Sequence, residues 1–252
     1  MSSSPPVVLT FAASDPTGGA GLQADILAIA ALGCHPVSVV TALTVQDTHG
    51  ISGMRAVEAG LVVEQARRLL ADMPIAAFKT GVLGSPENIG AIAALLAAYP
   101  KVPLVVDPVL ASGRGDALAS DADLRAMKEK IIPLATIATP NSIEAQRLGG
   151  ARELLALGCR FVLITGTHTD TPEVVNTLYD ASGVVREDRW PRLPGSFHGS
   201  GCTLASAIAA SMAKGQDARQ AAGSAQEYTW KALAAGFRPG AGQFIPNRLF
   251  AR

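Results

Sequence analysis

The feature that most narrows the fold is the recurrence, along 252 residues, of short apolar runs rich in β-branched residues, at 7–11, 37–43, 75–78, 104–106, 136–138 and 161–164. Runs this short suit strands buried on both faces, where successive side chains all meet apolar neighbours. Between them the apolar residues switch to helical spacing: Leu22, Ile26 and Ile29 within 20–32, similar patterns at 63–70 and 89–98, and Leu204, Ile208 and Met212 within 203–213. Strands alternating with helices require right-handed crossovers, which build a mostly parallel sheet covered on both faces. The pattern therefore predicts an α/β fold. A small hairpin is expected at 176–179 and 183–186, followed by a surface excursion over 186–196. No linker, repeat or low-complexity tract divides the chain, so residues 1–252 are read as one domain.

Charge and cysteine usage exclude several partners. Lys and Arg number 21, Asp and Glu number 21, and charged residues make up 17% of the chain, against about 25% in an average domain. A chain so balanced lacks the basic footprint that nucleic acid needs. Cys34, Cys159 and Cys202 are odd in number and far apart, which implies no disulfide framework and fits a reducing, cytoplasmic setting. The opening Met-Ser-Ser-Ser-Pro-Pro carries no basic residue and does not read as a secretory signal. No apolar run approaches the roughly 20 residues of a membrane span, so no membrane partner is expected. Cys34 and Cys159, each following Leu-Gly between a helical pattern and a strand, are read as core. His35, His49, His168 and His198 show no metal-ligand spacing, which disfavours a zinc enzyme.

In an open parallel sheet, ligands bind beyond the carboxyl ends of the strands. Polar and glycine residues gather at those ends: 13–21 after the first run, Gln46-Asp47 after the second, then Lys79-Thr80-Gly81, Asp107-Pro108, Thr139-Pro140-Asn141 and Thr165-Gly166. Gly18, Gly19 and Gly21 match neither the P-loop nor the dinucleotide fingerprint. They suit a tight strand-to-helix turn as well as close approach to a ligand. Asp25, one turn into the following helix, reads from pattern alone as a solvated residue.

His198-Gly199-Ser200-Gly201-Cys202-Thr203 opens an Ala-rich helix, and small residues before a helix N-terminus leave backbone N–H groups for an anion. A cysteine there is expected to have a lowered thiol pKa. Asn141 and Glu144 have the spacing of a plain capping arrangement, whereas Asp107, ending a buried strand, needs a partner. Carboxylates at two strand ends facing an anion site suggest magnesium and a nucleotide phosphate.

Four ordered stretches carry a resemblance: residues 13–25 (ASDPTGGAGLQAD), 39–46 (VVTALTVQ), 139–145 (TPNSIEA) and 198–204 (HGSGCTL). They resemble the hydroxymethylpyrimidine and phosphomethylpyrimidine kinases of thiamine biosynthesis, within the ribokinase-like superfamily. The resemblance runs from about residue 7 to 250. It implies a three-layer α/β/α domain with a mostly parallel central sheet. It also implies phosphorylation by ATP of 4-amino-5-hydroxymethyl-2-methylpyrimidine and then of its monophosphate. By similarity, Gln46 bonds the pyrimidine, with Ala13, Ala20, Asp25, Val82 and Val109 lining its pocket. Gly199, Ser200, Gly201 and Cys202 form the anion hole, with Cys202 beside the acceptor oxygen. Asn141, Thr165, Gly166 and Gly201 fall on the nucleotide side, and Asp107 and Glu144 on Mg2+. The resemblance also implies a homodimer.

The chain departs from the family pattern at three places. Thr165-Gly166-Thr167-His168 stands where Lys-Gly-Gly-His is usual, leaving Arg114 or Lys79 as substitute cations near the phosphates. The stretch from Glu144 to Gly158 is shorter, as if one helix were missing, and Ala13 replaces a common glycine. Two other readings compete: a pyridoxal or pyridoxine kinase, and a non-catalytic pyrimidine-binding sensor, which the loss of the Lys at 165 motivates.

Overall fold

A computed structural model describes residues 4–111, 118–168 and 171–251. In chain order its elements are β1 (Val7–Ser14), α1 (Gly21–Ala31), β2 (His35–Gln46), β3 (Ile51–Ala56), α2 (Ala59–Asp72), β4 (Ile75–Thr80), α3 (Pro86–Leu96), β5 (Leu104–Val106), α4 (Asp121–Ala126), β6 (Ile137–Ala138), α5 (Ser142–Leu148), α6 (Gly150–Ala156), β7 (Phe161–Thr165), β8 (Glu173–Asp180), β9 (Gly183–Pro191), α7 (Ser200–Ala213) and α8 (Ala218–Ala234). The strands form one sheet in the order β3-β2-β1-β4-β5-β6-β7-β8-β9. Every pairing from β2 to β7 is parallel, while β3, β8 and β9 join antiparallel at the two edges.

The alternating faces of the strands build two cores. Leu9, Phe11, Phe78, Leu104, Val106 and Val162 face α2, α3, α4, α5 and α6. Their neighbours Val8, Ala77, Val105 and Leu163 face α1, α7 and α8. Helices thus cover both faces in three layers, as the sequence pattern predicts. The chain runs from β1 to β2 on one side and returns to β4 on the other, so the strand order reverses between β1 and β4. At such a reversal the connections diverge above and below the sheet and leave a crevice at the strand ends.

Some expectations are corrected. The excursion at 186–196 is strand as far as Pro191, because β9 pairs with β8 along its length, from Asp180 opposite Gly183 to Glu173 opposite Pro191. Its pattern is hidden by exposed charges that pair on the strand, Arg186 with Asp188 and Arg189 with Glu187. The edge strand β3 carries no apolar run. Between Glu144 and Gly158 lie the rest of α5 and the whole of α6, separated by Gly149 in the left-handed region. Arg114 lies outside the described residues. Cys34 and Cys159 are buried and unpaired by disulfides, in line with their reading as core.

Candidate active site

The strand ends open into one cavity of about 400 Å³, within the range of small-ligand sites. Gln46 ends β2, Ala13 lies near the end of β1, Val82 follows β4, Asp107 and Val109 follow β5, Asn141 follows β6 and Thr165 ends β7; all line it. From β2 to β7 there are five strand intervals of about 4.8 Å, roughly 24 Å across.

Two uncapped helix N-termini enter this cavity. Of the helices longer than ten residues, α2, α3 and α8 are capped by the side chains of Glu58, Ser85 and Asp217. Neither α1 nor α7 has a side-chain cap. The first bond inside α7 runs from the Thr203 N–H to the Gly199 carbonyl at 3.0 Å, so the N–H groups of residues 200–202 find no partner within the helix. Gly199 takes φ +78°, and a Cβ built there would lie 1.9 Å from the Gly19 carbonyl oxygen. Only glycine lets the loop before α7 lie so closely on the glycine loop after β1.

The cavity wall also carries polar atoms with nothing to bond. Gln46 Oε1, Asp107 Oδ2 and Thr229 Oγ1 are buried without partners, and all three residues line the cavity. The other end of the Gln46 carboxamide is tied, Nε2 donating to Thr44 Oγ1 at 2.7 Å. Asp107 faces the α7 terminus: a Cβ built on Gly201 would lie 3.8 Å from both its carboxylate oxygens. Buried polar atoms rarely stay unpaired, so three lining one cavity mark where a polar ligand completes the structure.

Charge beneath the cavity is tightly organised. Lys79 and Asp25 are both 0% exposed, and Nζ donates to both carboxylate oxygens at 2.9 Å. Thr10 and Ser206 hydroxyls also donate to Asp25, at 2.6 and 2.7 Å. Burial works to lower the Lys79 pKa and is outweighed by Asp25, so the ammonium is held charged. Removing either partner would leave an isolated buried charge, costing about 3–5 kcal/mol.

Burial pushes Asp107 up to about 6 against the pull of Lys79. Burial, with Asp107 nearby, pushes Glu144 up to about 7. Glu144 accepts from the N–H groups of Asn141 at 2.9 Å and Leu110 at 3.2 Å, while Asn141 Oδ1 accepts from Ile143 and Glu144 at 3.0 and 2.9 Å. The pair is thus a reciprocal cap on α5 and also faces the cavity. Asp15 is held below the usual carboxylate range: burial alone would raise it, but hydrogen bonds with His198, at 2.8 Å, and with Thr17 and Ala20 outweigh burial.

Sequence and relatives agree with this geometry. The profile of the phosphomethylpyrimidine kinase family matches residues 15–247. The chain belongs to the phosphomethylpyrimidine kinase family. The hydroxymethylpyrimidine/phosphomethylpyrimidine kinase of Streptomyces coelicolor is 41% identical, over 94% of this chain and 92% of that protein. Among solved structures, a phosphomethylpyrimidine kinase from Clostridium difficile superposes with a TM-score of 0.79 at 33% identity, covering 90% of this chain and 99% of that one. An ADP complex of Bacillus subtilis pyridoxal kinase gives 0.91 at 25% identity, covering 99% of both chains. The fold is the ribokinase-like one that these kinases share.

Against the family's motifs, the structure gathers most of the expected residues and moves three expectations. Gln46, Ala13, Ala20, Val82, Val109, Asn141, Glu144, Thr165, Asp107 and residues 199–202 share the one cavity. Asp25 does not line it; neither solvated nor on the wall, it lies behind, bonded to Lys79. Gly166 is also off the wall, its N–H donating to Asn176 Oδ1 at 3.1 Å. The Cys202 thiol is not lowered: burial raises it to about 12, with Lys79 opposing and Asp107 and Asp25 adding. The helix terminus is outweighed there by desolvation and two neighbouring carboxylates.

Lys79 lines the cavity and gives two of its N–H directions to Asp25. Sequence reasoning assigns nothing to the part of the cavity lined by Trp190, Trp230 and Thr229. Its tryptophans stack with centroids 6.2 Å apart; they come from an edge strand and α8, with no local motif to reveal them.

Proposed function

We propose that the protein transfers the γ-phosphoryl group of ATP to the hydroxymethyl oxygen of 4-amino-5-hydroxymethyl-2-methylpyrimidine, and then a second to the resulting monophosphate, in thiamine biosynthesis. The observation that carries this reading is the set of three unpaired buried atoms, on Gln46, Asp107 and Thr229, spread along one cavity. Gln46 meets the aminopyrimidine edge, to which an amide offers a donor and an acceptor. Ala13, Ala20, Val82 and Val109 pack around that ring, and Asp25 acts from behind by holding Lys79.

At the other end the base of ATP lies by Trp190, Trp230 and Thr229, with Asn141 and Thr165 toward its phosphates. Gly166 contributes by fixing Asn176. The N–H groups of residues 200–202 receive the transferring phosphoryl. Its bond to the acceptor oxygen forms as the bond to the ADP oxygen breaks, and the acceptor's hydroxyl proton passes to water or to an oxygen of the transferred phosphoryl group. The reaction asks mainly for positioning and charge, so a neutral Cys202 thiol shapes the hole rather than serving as a preformed thiolate.

The donor set fits Mg2+. Asp107 Oδ2 is unpaired, and Asp107 and Glu144 offer hard oxygen ligands whose raised pKa values a cation would reverse. When bound, Mg2+ neutralises charge on the phosphate oxygens.

The reaction is assigned to the cytoplasm, which three free cysteines support; no described helix is long and apolar enough to cross a membrane. A homodimer belongs to the reading, and exposed Leu43 and Val45 on β2 beside the edge strand offer apolar surface for it.

The 0.91 TM-score to a pyridoxal kinase favours one second reading, phosphorylation of pyridoxal. A coupled ADP-release assay with each alcohol offered separately decides. Higher kcat/KM for the pyrimidine is expected, and turnover of pyridoxal alone would overturn the first reading. Calorimetry showing pyrimidine binding with neither magnesium-dependent ATP binding nor turnover would instead establish a sensor.

A further inference from the structure

Arg248 is 3% exposed, and its guanidinium is bonded to three carbonyls and a hydroxyl, none of them a carboxylate. Nε donates to Thr203 Oγ1 at 3.0 Å. One terminal nitrogen donates to the Gly19 carbonyl and, at 3.4 Å, to that of Gly199; the other reaches the Gly18 carbonyl at 3.5 Å. Its acceptors therefore lie on both loops that meet at the cavity, the glycine loop after β1 and the start of α7. The residue is itself anchored to α8, because Tyr228 donates its hydroxyl to the Arg248 carbonyl at 2.8 Å.

The direction of these bonds matters. A trans peptide is planar with its C=O and N–H antiparallel, so whatever holds the Gly199 carbonyl also aims the Ser200 N–H the opposite way. Thr203 Oγ1 and Arg248 both donate to that carbonyl, at 2.7 and 3.4 Å. The Ser200 N–H is then turned out of the helix terminus. The Gly19 carbonyl is held likewise, and across its peptide the Ala20 N–H donates to Asp15 Oδ2 at 2.7 Å. Asp15 in turn bonds His198 at 2.8 Å, a second tie between the same loops.

We propose that Arg248 is a positioning residue for phosphoryl transfer: it clamps the glycine loop to the first turn of α7, so that the ring-binding wall and the anion-binding amides keep one relative placement. This rests on the kinase reading. A planar fork spans several acceptors on two loops, whereas the ammonium of a lysine is a compact point charge. Charge alone is therefore insufficient.

The experiment compares wild type, Arg248→Lys and Arg248→Ala with Mg-ATP and the hydroxymethylpyrimidine. Both variants are expected to lose about a hundredfold in kcat with KM for both substrates little changed, and millimolar guanidinium is expected to restore turnover to Arg248→Ala alone. Wild-type kcat in folded Arg248→Ala, or a loss in kcat that guanidinium does not recover, would overturn the proposal. Should Arg248→Ala not fold, undiminished kcat in Arg248→Lys overturns it equally. Hydrogen exchange separates this idea from the kinase reading. Joint loss of protection at 17–20 and 198–204 in Arg248→Lys supports the clamp, and unchanged protection refutes it. A wild-type protein that phosphorylates neither alcohol refutes the kinase reading, and exchange then still decides whether Arg248 joins the loops.

Discussion

Cys202 illustrates how far a residue's chemistry depends on what surrounds it. The motif places a thiol at a helix N-terminus, where a lowered pKa is the ordinary expectation; the folded environment raises it to about 12 through burial and two nearby carboxylates. Iodoacetamide should accordingly label Cys202 slowly near neutral pH, with a rate that climbs steadily into alkaline solution. Cys34 and Cys159 are buried, so the labelling reports on this one thiol. A labelling midpoint near neutrality would contradict the assignment. Cys202→Ala is expected to lower kcat by about tenfold or more while moving Tm little, and a fully active variant would remove the thiol from the mechanism. Asp25 makes the same point differently: its helical position says solvent, yet four strands and helices converge to bury it against Lys79.

At the level of elements, α7 and the β8–β9 hairpin show which signals a sequence transmits well. Helix α7 is buried from Thr203 to Ser211, and its alanines let it lie close between sheet and neighbouring helices. Its composition announces that role. The hairpin announces its inner halves, 176–179 and 183–186, but not its extension to Glu173 and Pro191, because β9 lies at the sheet edge and carries charges there. What fastens it is polar: Asn176 Nδ2 and Trp190 Nε1 donate to Gln226 Oε1 at 2.8 and 3.2 Å, and Gln226 Nε2 donates to Asp188 Oδ2 at 2.7 Å. This network, reaching from α8 to both strands of the hairpin, also sets Trp190 on Trp230. Gln226→Leu should therefore cost about 1–3 kcal/mol by stranding buried partners. Urea unfolding measures it, and an unchanged midpoint would show that the network relaxes onto water.

For the whole molecule, the cavity makes stability depend on pH in an unusual direction. Asp107 binds its proton more tightly when folded, with a pKa near 6 against an ordinary 3.8. Below 3.8 the group contributes no difference; as pH rises through this window the unfolded chain ionises first, and stability falls. Above about pH 6 the accumulated cost approaches roughly 3 kcal/mol. Asp107→Asn should match wild type near pH 4 and exceed it near pH 8, as compared by urea unfolding; a difference independent of pH would contradict this. From the amino-acid order alone one reads the alternating α/β plan, the strand ends that carry chemistry and the motifs at 13–25, 139–145 and 198–204, because periodicity, glycine placement and local capping are written within a few residues. The Asp25–Lys79 pair, the raised Cys202 pKa, the unpaired Thr229 hydroxyl and the Arg248 clamp were decided only by tertiary structure. Each depends on desolvation and on partners far away in the chain, and neither is a property of any local stretch.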